Sequence, residues 1–239
     1  MGKKVLLVGD SITAGISGYS YVKLLKQECP DFRFKNLGRG GDTLRGTLTR
    51  MFCELSRSDD FDGIVIEAGI NDIIIPQMNR MGFLYRMLGR VLIARGSVPA
   101  EDARSFALEL QEGMRRLSAT YRGRVILMTL SCIGEDLDSD LNQKRQKLNH
   151  IIREEAVARK FVLADVGRAF DSHLGQRRGG ASFLGNILAQ LLEDPICSSS
   201  KVGVEWLSKK RRMVLTIDGV HLSYRGALIY KDAIRGALV

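Results

Sequence analysis

Two short segments at opposite ends of the 239-residue chain carry the residue types of nucleophilic catalysis. The first ends in Ser11 and directly follows an apolar run, and the second begins with Asp218 and ends with His221. An Asp three residues before a His can accept the Nδ1 proton of that His across one turn, which leaves Nε2 to face a serine hydroxyl. A serine activated in this way attacks ester carbonyls. We therefore predict Ser11 as nucleophile, His221 as general base and Asp218 as its orienting carboxylate.

A third segment, residues 69–72, follows another apolar run and contains Asn71. The amide NH₂ of an Asn can donate to a developing oxyanion at any ordinary pH. Asn-Asp pairs after strands are also common in turns. In the company of the other segments, we assign Asn71 to the oxyanion and expect Asp72 to brace the loop.

Ser11 lies where a predicted strand gives way to a predicted helix. In open α/β folds this junction is the carboxyl edge of the sheet, where ligands bind, and it faces the positive end of a helix. A serine before a helix is more often an N-cap. Taken together, the three segments favour a nucleophilic role for Ser11 over a helix-capping role.

The order Ser, Gly, Asn, Asp, His along the chain resembles that of the SGNH hydrolase superfamily, also called the GDSL esterases and lipases. The resemblance covers roughly the whole chain except two stretches, and it extends to residues 148–165, which are similar to a helix and the last strand of that family. It implies that the backbone N–H groups of Ser11 and Gly41 join Asn71 as oxyanion donors. A loop leading to a helix capped by Asp42 or Thr43 is a second interpretation of Gly41, compatible with the first.

Other nucleotide and hydrolase motifs are absent from the sequence. It contains no G-x-S-x-G, so the elbow of the α/β-hydrolases does not present this serine. It also contains no dinucleotide G-x-G-x-x-G after a strand and no P-loop. We predict no metal ion and no organic cofactor.

Apolar runs alternate with helical patterns along the chain, which is typical of a parallel sheet covered on both faces. Strands are predicted near 4–8, 32–36, 63–67, 124–130 and 161–165, and helices near 19–28, 43–56, 101–121, 142–159 and 223–237. We expect one domain over residues 1–239. Its fold class is α/β, a three-layer α/β/α sandwich with a mainly parallel, flavodoxin-like five-stranded sheet.

Two stretches, 76–96 and 175–212, are insertions relative to a minimal member of the resembled family. The first predicts an amphipathic, Met-rich, basic helix directly after Asn71, and the second a Gly-rich loop followed by apolar residues at helical spacing. Both are expected near the site, because loops at the carboxyl edge of the sheet surround it. Most of these residues are expected to form extra helices packed on the core. A lid or an apolar acyl-binding wall is the alternative.

The chain carries a formal net charge of +9, from 36 Lys and Arg against 27 Asp and Glu. The excess is scattered apart from residues 209–212, so we predict no nucleic-acid partner, and a preference for anionic substrates is a hypothesis. Four cysteines without a C-x-x-C indicate reduced thiols. A first strand starting at residue 4, and apolar runs shorter than a membrane span, lead us to expect a cytoplasmic protein without stable membrane insertion.

The residues therefore predict an esterase for acetyl or short-acyl esters of a small-molecule, carbohydrate or lipid substrate. An acyl thioesterase or lysophospholipase, and an acyltransferase using the same acyl-enzyme, remain open. A non-catalytic binding protein is disfavoured, because no catalytic residue is missing. The two other histidines, His150 and His173, have no comparable neighbours and are given no catalytic role. The sequence does not predict the oligomeric state.

Overall fold

A computed structural model describes residues 2–58, 60–175, 198 and 200–239, and its centre is a sheet of five parallel strands. The strands are β1 (Lys3–Val8), β2 (Phe32–Asn36), β3 (Gly63–Ile66), β4 (Arg124–Met128) and β5 (Val162–Ala164). Their spatial order is β2-β1-β3-β4-β5, the order of flavodoxin-like sheets. The predicted fold class is confirmed.

Helices cover both faces of the sheet. They are α1 (Ser11–Ala14), α2 (Tyr21–Glu28), α3 (Leu44–Leu55), α4 (Ile70–Met78), α5 (Phe83–Ala94), α6 (Ala103–Thr120), α7 (Asp140–Arg159), α8 (Val166–Leu174), α9 (Lys201–Lys210) and α10 (Tyr224–Leu238). Helix α10 packs against α2 and α8, whereas α6 packs against α3 and α7. All four residues of β3 are buried, as expected of a strand covered on both faces.

The stretch 76–96 differs from its prediction as a single helix. It contains the end of α4 and the whole of α5, and the two helices are separated by residues 79–82. Asn79 is the C-cap of α4 and Gly82 the N-cap of α5. Asn and Gly are unfavourable inside a helix, so the helix is interrupted at these two residues. The apolar periodicity of the sequence nevertheless continues from α4 into α5. In the second stretch, 175–212, residues 176–197 and 199 lie outside the described residues.

The parallel register brings three strand ends together. Val8 of β1 is level with Ile66 of β3, and Leu7 of β1 is level with Asn36 of β2. Backbone hydrogen bonding between the chain segments of β1 and β2 continues beyond the strand ends, where the Arg39 N–H donates to the Gly9 carbonyl over 3.0 Å. The segments after β1, β2 and β3 therefore leave the sheet side by side.

Asp72, in the segment after β3, is bonded to the start of α3 and to the loop before α6. One carboxylate oxygen accepts the Leu44 N–H at the start of α3 and the other accepts the Ala100 N–H, both over 2.9 Å. Asp72 thus braces the loop as predicted. It also supplies the cap that was expected from Asp42 or Thr43; Thr43 occupies the N-cap position of α3 but makes no side-chain capping bond.

We expect Asp72→Asn to lower the free energy of unfolding by about 1–3 kcal/mol, because an amide NH₂ would face a buried backbone N–H that has lost its acceptor. Burial raises the pKa of Asp72 to about 7, against the hydrogen bonds from Ala100 and Leu44 that lower it. Ionisation is therefore harder in the folded chain than in the unfolded one. The stabilising contribution of Asp72 is largest below its unfolded pKa and declines as pH rises towards the folded value.

Urea unfolding from pH 4 to 8 measures this difference, with Asp31→Asn at an exposed position as the control. The stability gap between wild type and Asp72→Asn should narrow as pH rises to about 7. A gap that stays constant over this interval would contradict the assignment.

Candidate active site

Ser11 is the first residue of α1, and Asp10 before it is the N-cap. One Asp10 carboxylate oxygen accepts the Ile12 N–H over 2.9 Å, so the capping position is already filled. The alternative interpretation of Ser11 as the cap is therefore wrong. As the first helical residue, Ser11 has a backbone N–H without an intrahelical acceptor.

The side chains of Ser11, His221 and Asp218 form one hydrogen-bonded chain. Ser11 Oγ lies 2.9 Å from His221 Nε2, and His221 Nδ1 lies 2.6 Å from Asp218 Oδ2. The other Asp218 oxygen accepts the backbone N–H groups of Val220 and His221 over 2.9 and 2.8 Å. This is the reach that a general base and its orienting carboxylate require.

Asp218 is buried and remains an acceptor. Burial alone would raise the pKa of this carboxyl, but the His221 charge and the hydrogen bonds from His221 and Val220 outweigh it, and the pKa lies below its usual value. An ionised Asp218 fixes the Nδ1–H tautomer of the ring. His221 Nε2 then lies opposite the Ser11 hydroxyl as a proton acceptor.

A buried carboxylate holds the segment that leads to this pair. One Glu135 oxygen accepts the N–H groups of Leu215 and Thr216 over 2.7 and 2.9 Å, and it also accepts the Thr216 hydroxyl. Both Glu135 oxygens lie within hydrogen-bond distance of the Val214 N–H. Glu135 was not predicted from the sequence, because it lies in the loop after β4 with no motif around it.

Asn71 connects the segments that carry Ser11 and Gly41. Its Nδ2 donates to the Asp42 carbonyl over 2.9 Å and to an Asp10 carboxylate oxygen over 3.1 Å. Asp10 and Asp42 are the immediate neighbours of Ser11 and Gly41. The structure therefore brings all three predicted oxyanion residues to one place.

Gly41 adopts a backbone conformation that favours glycine. Its φ is +75°, in the left-handed region. A Cβ added to Gly41 would stand 2.6 Å from Leu92 Cδ2, so the α5 residue Leu92 packs directly over this glycine.

Arg50 on α3 forms hydrogen bonds to both the segment after β1 and the segment after β2. Its guanidinium donates to the Gly9 carbonyl over 2.9 Å and to the Leu37 carbonyl. Its Nε donates to the Asp42 carboxylate over 2.8 Å. Arg50 was also not predicted, because one arginine in a helical pattern is indistinguishable from a solvated one.

Two buried carboxyl groups, those of Asp10 and Glu67, accept hydrogen bonds from residues of α1. Burial raises the pKa of Asp10 to about 6, against the Ile12 hydrogen bond and the His221 charge. Burial also raises the pKa of Glu67 well above its usual value, and the nearby Asp10 adds to this effect. The Thr13 hydroxyl donates to Glu67 over 2.6 Å, which fixes the helical turn that presents Ser11.

The other two histidines lie on helix surfaces. His150 on α7 is 3.2 Å from Glu154 at an exposed position. His173 lies on α8, where its Nδ1 donates to the Ala169 carbonyl over 2.8 Å.

Most of the chain matches a known protein family. The model of the GDSL-like lipase/acylhydrolase family matches residues 7–227. No curated protein matches the chain.

Solved structures show the same fold. An acetyl xylan esterase called AlAXEase is 22% identical with a TM-score of 0.66, and the match covers 99% of this chain and 100% of that one. A variant of an acetyl xylan esterase from Geobacillus stearothermophilus is 18% identical with a TM-score of 0.64, over 99% and 94% of the two chains. A lipolytic protein of the G-D-S-L family from Veillonella parvula is 15% identical with a TM-score of 0.61, over 98% and 97%.

At these identities the solved structures show the shared fold, whereas the family model covers most of the sequence itself. The chain belongs to the GDSL-like lipase/acylhydrolase family.

Proposed function

We propose that this protein is a serine esterase that cleaves carboxylic esters through an acyl-enzyme, with acetyl or short-acyl esters as substrates. The observation that carries the proposal is the continuous hydrogen-bonded chain from Ser11 Oγ through His221 to the buried Asp218. Family membership supports ester hydrolysis. The two acetyl xylan esterases with the same fold support a short acyl group.

In the first half of the reaction, His221 Nε2 removes the hydroxyl proton as Ser11 Oγ attacks the ester carbonyl. Asp218 stabilises the imidazolium that forms, because its carboxylate accepts the Nδ1 proton throughout. The tetrahedral intermediate collapses when His221 returns the proton to the leaving alcohol. Water then repeats the sequence on the acyl-Ser11 ester and releases the acid.

The developing oxyanion is bound by the backbone N–H groups of Ser11 and Gly41 and by the Asn71 amide. The Asn71 contact to Asp10 is the longer of its two hydrogen bonds, at 3.1 Å. An oxyanion therefore competes with Asp10 for the hydrogen bond from one Asn71 N–H. The other N–H stays bonded to the Asp42 carbonyl and keeps the amide in place. Preorganised donors of this kind stabilise the transition state more than the ground state.

Removing the nucleophile should abolish turnover while the fold is kept. We expect Ser11→Ala to lower kcat by about 10⁴-fold or more. Ser172→Ala, at an exposed position of α8, is the matched control and should retain wild-type activity. Hydrolysis of p-nitrophenyl acetate measures both, and substantial turnover by Ser11→Ala would refute the assignment.

Removing one oxyanion donor should leave a slow enzyme. We expect Asn71→Ala to lower kcat by about 10²–10³-fold, with a much smaller change in KM, because the lost bond forms mainly in the transition state. Steady-state kinetics separate the two parameters, and a thermal melt checks the fold. A raised KM with unchanged kcat would instead indicate that Asn71 only binds substrate.

Acyl-chain preference tests the substrate class. Leu92 packs over Gly41 and narrows the space beside one oxyanion donor. We expect the rate on p-nitrophenyl esters, measured from acetate to decanoate with Ser11→Ala as the blank, to fall beyond short chains. A maximum at long chains would contradict the short-acyl assignment and favour a lipase or thioesterase.

A further inference from the structure

Helix α5 directs most of its apolar side chains outward. Phe83 is 71% exposed, Leu84 48%, Met87 42% and Val91 40%. Gly89 is the only residue of α5 that is fully buried. The expectation that the stretch 76–96 packs largely on the core is therefore wrong for this face; Tyr85, Leu88 and Leu92 contact the core from the opposite side of the helix. We call the outward residues Phe83, Leu84, Met87 and Val91 the α5 apolar face.

Arginines are the only charged residues of this region. Between Asp72 and Glu101 the sequence has no acidic residue and no lysine, but it has four arginines at 80, 86, 90 and 95. At 100° per residue, Arg86 and Arg90 lie along one border of the α5 apolar face. Both are exposed, and neither forms an ion pair within the described part of the chain.

Helix α5, which carries the α5 apolar face on its outer side, packs with its inner side against the loop of Gly41. Leu92 on the inner side of the helix packs over Gly41. Arg39, in the same loop as Gly41, donates to the Arg95 carbonyl over 2.7 Å. Thr43 donates to the Val98 carbonyl over 2.9 Å. Whatever binds the outer side of α5 is therefore separated from the Gly41 loop only by the width of this helix.

We propose that the α5 apolar face is a docking surface for an anionic lipid surface. Apolar side chains bordered by arginine are the composition of helices that lie in a membrane interface, with the apolar side in the acyl boundary and the cations at the phosphates. No helix of the described residues is long and apolar enough to cross a membrane, so the contact is one of lying on the surface. The esters hydrolysed would then be those held at that surface, a part of the proposal that rests on the proposed function.

Charge argues against a second copy as the occupant. In a two-fold interface the same patch lies on both subunits. Such a pairing would bring Arg86 and Arg90 towards their own copies, and residues 73–100 around them include no Asp or Glu. An anionic lipid surface instead supplies phosphates along the whole length of the helix. A short acyl group is compatible with this partner, because the cleaved group and the lipid anchor can be different parts of one substrate.

Vesicle sedimentation tests the docking surface. The protein carries Ser11→Ala, so that binding is measured without turnover and its outcome is separate from that of the proposed function. We expect binding to phosphatidylcholine vesicles containing phosphatidylglycerol, and much weaker binding to phosphatidylcholine alone. Arg86→Gln with Arg90→Gln should weaken binding about 25-fold, from about fivefold per lost charge. Phe83→Ser with Met87→Ser should weaken it by a similar amount or more.

Matched controls keep the test specific. Arg57→Gln with Arg122→Gln makes the same charge change in the loops after α3 and α6, at the amino edge of the sheet. Leu108→Ser with Val157→Ser makes the same polarity change at exposed positions of α6 and α7. Both control proteins should bind as the Ser11→Ala protein does.

The proposal is overturned if phosphatidylglycerol vesicles are not bound, or if the α5 variants bind as well as the controls. It is also overturned if the protein is a dimer by size-exclusion chromatography and becomes monomeric when Phe83 and Met87 are replaced by serine, because a second copy then covers the face. Circular dichroism of each variant confirms that the helix content is retained.

Discussion

The site depends on the parallel register of β1 between β2 and β3. Because Val8 is level with Ile66 and Leu7 with Asn36, three chain segments leave the sheet at one edge. Each contributes one of the proposed oxyanion donors: Ser11 after β1, Gly41 after β2 and Asn71 after β3. A sheet with these strands in another order would separate the donors, whatever the loop sequences were.

Polar and charged groups, of which Asp42, Asn71 and Glu135 are buried, then fix the loops to within hydrogen-bond distance. Arg50 and Asp42 hold the first two segments, and the Asn71 amide links them to the third. The fourth segment, which carries Asp218 and His221, lies outside the sheet and has no strand to align it. Glu135 performs that task by accepting several consecutive backbone N–H groups. Removing one partner of such a contact leaves an uncompensated buried polar group, so these positions should tolerate few substitutions.

The strands and the Asp218–His221 pair could be predicted from the sequence because both follow from local patterns, whereas Ser11, 210 residues from His221, was placed with them by the order of the segments along the chain. Apolar runs of five residues bury as strands, and an Asp three residues before a His folds back within one turn. Glu135 and Arg50 could not be found in this way. The partners of Glu135 are backbone N–H groups about 80 residues along the chain, and Arg50 bonds backbone carbonyls and Asp42 without any local motif that marks it. The sequence also did not indicate that the apolar side of α5 faces outward. An amphipathic period defines an apolar side but not whether the protein itself covers that side.

Covalent labelling tests the central claim most directly. A p-nitrophenyl alkylphosphonate reacts with an activated serine and leaves a stable adduct that mimics the tetrahedral intermediate. Intact-mass measurement should show one adduct per chain, peptide mapping should place it on Ser11, and His221→Ala should react far more slowly. An adduct on another residue, or labelling that does not depend on His221, would contradict the account.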